Sequence, residues 1–119
     1  MLYAISLPAN AKDLPRISGI YSNLEYNEEG GDFLGMEVFI FPSGGEGAYK
    51  ALVQIAEGGF PFSALVSVKV AGLQVEFTLP KGGEYSGVHF SGSIRKNELI
   101  LLENQGSKEH LKRGKSYWQ

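Results

Sequence analysis

Cysteine is absent from the 119-residue chain. Disulfides, thiolate catalysis and Cys-bearing metal sites are thereby excluded. The compartment stays open, because only the presence of disulfides would be diagnostic. Long apolar runs are also missing. None approaches the ~18 residues that a membrane-crossing helix needs. No stretch carries a convincing helical period. Histidine is scarce: His89 and His110 are the two present, and neither has a metal-ligand spacing with a partner. No Gly-x-Ser-x-Gly nucleophile elbow occurs. Residues 44–47, Gly44-Gly45-Glu46-Gly47, followed by Lys50, do not fit a P-loop, and Glu46 would repel phosphate. They read as a hairpin loop. A triad assembled from distant residues stays open, but nothing in the sequence points to one.

Charge of either sign is modest. The formal charge is −2, so the whole molecule is not a polyanion binder. Six of the eleven basic residues lie from Arg95 onward, and four of them, Lys108, Lys112, Arg113 and Lys115, have Tyr117 and Trp118 close by. Basic residues among aromatics can bind single strands of nucleic acid. They serve equally as a solvated edge that discourages sheet pairing. The negative net charge favours the edge, and no nucleic-acid partner is expected. Glu28, Glu29 and Asp32 gather in a Gly-rich loop. A hard cation would suit such ligands, but the spacing is not that of an EF-hand, and a solvated hairpin loop is the expectation. No cofactor or metal is implied.

What is present is alternation. Residues 32–41 place Met36, Val38 and Ile40 on one face, against Glu37. Residues 48–57 place Tyr49, Ala51, Val53 and Ile55 against Lys50 and Gln54. Residues 64–70 set Val66, Val68 and Val70 against Ser67 and Lys69. Residues 73–79 set Leu73, Val75, Phe77 and Leu79 against Gln74, Glu76 and Thr78. A period of two is that of a strand, and one dry face means antiparallel pairing. The Ala71-Gly72 turn is short enough for a hairpin. Outside this meander, residues 17–26, 85–94 and 98–103 read as further strands. Gly87 and Gly92 interrupt the second of these, where a bulge or bend would let a sheet curl. Residues 107–112 read as a helical turn or loop, and 115–119 as a last strand.

The expected fold is all-β: an antiparallel up-and-down barrel of about eight strands, closed because open edges aggregate. A barrel of that size is filled by side chains or holds one small ligand. Residues 17–119 form its single domain. Residues 1–16 are an N-terminal arm or the remnant of a signal peptide, since Ala9-Asn10-Ala11 has the small-x-small form of a cleavage site. The second alternative would make the protein periplasmic or secreted, the first cytoplasmic.

Gly19-Ile20-Tyr21 on the first strand, with Arg113 near Trp118 in the last stretch, resembles the calycin arrangement of lipocalins and avidins. There a Gly-x-Trp packs beneath the barrel, and a basic residue near the C-terminus crosses the ring. A guanidinium stacks well on an aromatic face while capping the open end. The resemblance implies that Tyr21 and Arg113 close the barrel, with Tyr21 standing where the family has Trp. Residues 111–119 also resemble the tails of small bacterial proteins, which implies no activity.

The inner face is almost wholly aliphatic and aromatic. A ligand held there would be a small apolar molecule, bound by Met36, Val38, Tyr49, Val53, Val68, Val75, Phe77 and Phe90. The other face carries Phe39, Leu52 and Leu65 on strands expected to be neighbours. Three such residues together make a patch, suited to a homodimer or a protein partner. The function expected is therefore that of a non-enzymatic carrier or sensor. The alternative is a protein-interaction module, such as a periplasmic inhibitor or assembly factor, with a fully packed core. An enzyme would need perturbed titratable groups converging in a cleft.

Overall fold

The computed structural model describes residues 17–45 and 47–119. The signal-peptide and arm alternatives for residues 1–16, and Glu46 in its loop, lie outside them. Nine strands follow one another: β1 (Gly19–Ser22), β2 (Glu25–Asn27), β3 (Asp32–Pro42), β4 (Tyr49–Glu57), β5 (Phe62–Ala71), β6 (Gln74–Thr78), β7 (His89–Arg95), β8 (Glu98–Glu103) and β9 (Lys108–Arg113). Each pairs antiparallel with its neighbour in the chain from β3 to β9. β1 then pairs with both β9 and β3 and closes the ring. The result is a closed up-and-down barrel of eight strands, with β2 as an extra strand.

The alternation drives the closure. Val38, Val53, Leu99, Leu101 and Leu111 have no exposed surface, and Met36, Val68, Val75, Phe77 and Phe90 are nearly as deep. They form one continuous cluster. Fully burying an aliphatic or aromatic side chain contributes about 1.5–3 kcal/mol each, and a closed sheet buries one whole face at once. Gly92 faces this interior. A Cβ there would lie 2.6 Å from the Ile100 carbonyl oxygen and 2.8 Å from Leu101 Cδ2, so its bareness makes room for the leucines of β8.

β1 and β2 lie along the same edge of β3 in one unbroken register: Ser22 faces Glu37 and Glu25 faces Leu34. Asn23, between them, does the pairing with its side chain. Its N–H donates to the Met36 carbonyl at 3.0 Å, and its Oδ1 accepts the Met36 N–H at 2.8 Å. Its Nδ2 donates across the seam to the His110 carbonyl and to Glu109 Oε1, both at 3.2 Å. Gly35 makes this possible. It holds φ +107°, and a Cβ there would stand 2.6 Å from Asn23 O.

Three expectations are corrected. The last strand is β9, not residues 115–119. Only Leu111 is buried among its six residues, so alternation was too sparse to reveal it. Residues 85–88 belong to the loop before β7 rather than to the strand. Glu37, expected on the wet face, is 7% exposed. The C-terminal segment covers it, as Ser116 Oγ and the Tyr117 N–H donate to its two carboxylate oxygens at 2.5 and 2.7 Å.

Candidate functional site: the acidic mouth of the barrel

In an up-and-down barrel, successive turns alternate between the two ends. The turns at 28–31, 58–61, 79–88 and 104–107 share one end, and those at 43–48, 72–73 and 96–97 share the other. This sorts the charges. Among the described residues, Glu25, Glu28, Glu29, Asp32, Glu57, Glu84, Glu103 and Glu109 belong to the first end, with Lys81 and Lys108 the basic residues there. Lys50, Lys69, Arg95, Lys96, Lys112, Arg113 and Lys115 belong to the half toward the second. A near-neutral total therefore hides a molecule with an acidic mouth and a basic base.

The mouth holds a depression of about 900 Å³. Its apolar wall is built from inward-facing residues: Met36 on β3, Ile55 on β4, Phe90 on β7, and Val88 just before β7. Glu57, Glu84, Glu103 and Glu109 stand around it with Tyr85, Gln105 and Ser107. Among the described residues, no Lys, Arg or His lines it. Tyr85 Oη donates to Glu57 Oε1 at 2.7 Å, and the Tyr85 ring packs on Phe62 with centroids 5.3 Å apart. Burial, then this bond to Glu57, pushes the Tyr85 hydroxyl well above its ordinary value, so it stays a donor at neutral pH. Among the described residues no three His, Asp or Glu converge as a metal site.

The residues expected to bind a ligand are distributed unequally. Met36 and Phe90 line the mouth. Phe77 stacks on Phe90 with centroids 5.2 Å apart. Val38, Val53 and Tyr49 lie in the buried core cluster. Val68 and Val75 border a second depression of about 600 Å³ beside the β5–β6 hairpin, next to Lys69 and Glu76. Two of the eight thus line the mouth depression and two the second one.

At the base, the Arg113 Cζ lies 5.5 Å from the centroid of the Tyr21 ring. Arg113 also donates from a terminal nitrogen to the Ser18 carbonyl. Tyr21 is fully buried, and its hydroxyl donates to the Ile17 carbonyl at 2.9 Å. Burial raises its pKa, while the Arg113 charge opposes the rise. Gly19 is bare because a Cβ would stand 2.8 Å from Arg113 Nε.

On the outer face, Phe39 pairs with Leu52, and Leu52 with Leu65. They are 39%, 41% and 57% exposed. The row continues to Ile20 on β1, which faces Phe39. His89 accompanies Thr78, its Nδ1 2.7 Å from Oγ1, and His110 Nδ1 lies 3.3 Å from Glu98 Oε2.

Sequence reasoning missed Ile55, Val88 and the four glutamates as a set. A signal was there: Glu57 and Glu103 each end a strand running toward the same end, which assigning alternate turns to alternate ends would have exposed.

No protein-family model, curated protein or solved structure matches the chain.

Proposed function

We propose that the protein is a non-enzymatic carrier or sensor that takes a small amphiphilic molecule at the barrel mouth. The apolar part of the ligand rests against Met36, Ile55, Val88 and Phe90. A cationic group faces Glu57, Glu84, Glu103 and Glu109. One observation carries this reading: the depression of about 900 Å³ joins an apolar wall to a rim with carboxylates and, among the described residues, no basic side chain. Ligand pockets typically combine these ingredients, an apolar lining with a few polar groups that fix orientation. We further infer a barrel of the calycin kind. Its support is the next-neighbour order of eight strands and the stacking of Arg113 on Tyr21 beneath the core.

The test is calorimetric titration with octyltrimethylammonium below its micelle concentration, beside octyl sulfate as the anionic counterpart. Binding of the cation that weakens in Glu103→Gln and in Glu84→Gln, with no binding of the sulfate, supports the reading. Equal binding of both, or of neither, overturns it.

A second reading rests on the Phe39–Leu52–Leu65 row. Pairing directly across three strands makes it one continuous apolar strip, the kind of feature that marks an interaction surface. Here the protein is an interaction module that associates through this face as a homodimer. Light scattering that finds a dimer, converted to monomer by Leu52→Glu, supports it. A monomeric parent removes it.

A further inference from the structure

Beside the mouth, five aromatic rings gather on the outside of the barrel. Phe33 is the hub. Its ring centroid lies 5.0 Å from that of Tyr26, 5.8 Å from Phe60, 5.8 Å from Tyr117 and 5.4 Å from Trp118. The four outer rings stay open to solvent: Tyr26 is 44%, Phe60 87%, Tyr117 39% and Trp118 50% exposed. Single exposed aromatics are ordinary, but a contiguous set is not.

Hydrogen bonds tie down the segments that carry the set. β2–β3 pairing puts Tyr26 opposite Phe33. The Phe33 N–H donates to the Gly59 carbonyl at 3.2 Å, and the Gly58 N–H to the Phe33 carbonyl at 3.0 Å, which anchors the turn carrying Phe60. The C-terminal segment supplies the other two rings. Buried Glu37 grips it at Ser116 and Tyr117, and Trp118 Nε1 donates to Gln54 Oε1 at 2.6 Å. Fixed rings lose little entropy on docking, which is why Trp and Tyr dominate binding hot spots.

The border of the platform is acidic. Glu28 and Glu29 cap the β2–β3 hairpin next to Tyr26. The two bordering turns, 27–31 and 58–61, contain no Lys or Arg. A second copy docking here would set these carboxylates against their equals. An anionic membrane surface would be repelled by them. A chain bearing Lys or Arg between apolar residues meets both features: cations over ring faces and carboxylates alongside.

We propose that Tyr26, Phe33, Phe60, Tyr117 and Trp118 form a docking surface for a basic, apolar segment of another protein. It is separate from the ligand site in the mouth. Trp118 is the one tryptophan in the chain, so its emission reports docking directly. The experiment titrates the full chain with a synthetic peptide alternating Lys and Leu, and with its Glu-Leu counterpart. The Lys-Leu peptide is expected to change Trp118 emission saturably, and the Glu-Leu peptide to leave it unchanged. Phe60→Ser keeps every charge and touches an almost fully exposed side chain. It is expected to weaken the Lys-Leu peptide about tenfold, a hot-spot effect, whereas Glu103→Gln in the mouth leaves its affinity within about twofold. Equal response to both peptides, no response, or undiminished affinity in Phe60→Ser overturns the proposal. So does a concentration-dependent dimer, or binding to phosphatidylglycerol vesicles, that Phe60→Ser abolishes.

Discussion

Tyr85 Oη and Glu57 Oε1 meet at 2.7 Å, and this bond ties the 79–88 loop to the end of β4 at the rim of the mouth. Removing it with Tyr85→Phe keeps the ring contact with Phe62 and loses one hydrogen bond. The expected cost is about 0.5–1.5 kcal/mol at neutral pH. Urea unfolding checks it, as a lowered midpoint with an unchanged slope.

The same hydroxyl gives a pH dependence. Tyr85 and Tyr21 both hold their protons above the ordinary value of 10.0, mainly through burial. Above that pH the unfolded chain has released protons that the folded one keeps. Stability is thus fully present below pH 10 and falls as pH rises through the folded values. Midpoints measured at pH 9 and 11 are expected to drop with pH, and the drop is expected to shrink in Tyr85→Phe.

At the base, Gly19→Ala would press a methyl group against Arg113 Nε, at 2.8 Å, with φ at +154°. The contacts of Arg113 with Tyr21 and Ser18 would then shift. A loss of about 1–3 kcal/mol is expected. Arg113→Ala relieves that crowding, so the double variant is expected to lose less than the two single losses added. A double-mutant cycle measures this coupling.

Glu37 holds the C-terminal segment through two charge-assisted bonds. Glu37→Ala is expected to release Ser116 and Tyr117, and with them Trp118, whose emission should move to longer wavelength. The loss of two bonds to a charged acceptor predicts a destabilisation of roughly 1.5–3 kcal/mol, read by thermal unfolding.

How much of this was legible beforehand depends on what each residue does. β3, β4, β5 and β6 could be read within a few residues, because their alternation is the direct imprint of one dry face. β8 could be read to the residue. β9 could not, because one buried leucine is no pattern. Tyr21 and Arg113 pointed to each other through a family resemblance, and local spacing alone would not have joined positions so far apart. The burial of Glu37 was invisible, since it depends on a segment arriving from the far end of the chain. The acidic mouth was hidden for a related reason. Its glutamates come from separate turns, each unremarkable in sequence, and a net charge of −2 averages them against the basic base.

The most direct test of the mouth as a ligand site is methyl NMR of the labelled protein titrated with octyltrimethylammonium. Saturable shifts centred on Met36, Ile55 and Val88, with Val38, Val53 and Leu111 unmoved, are the predicted result. Shifts centred on the deep core residues, or none at the mouth while the cation binds elsewhere, would contradict it.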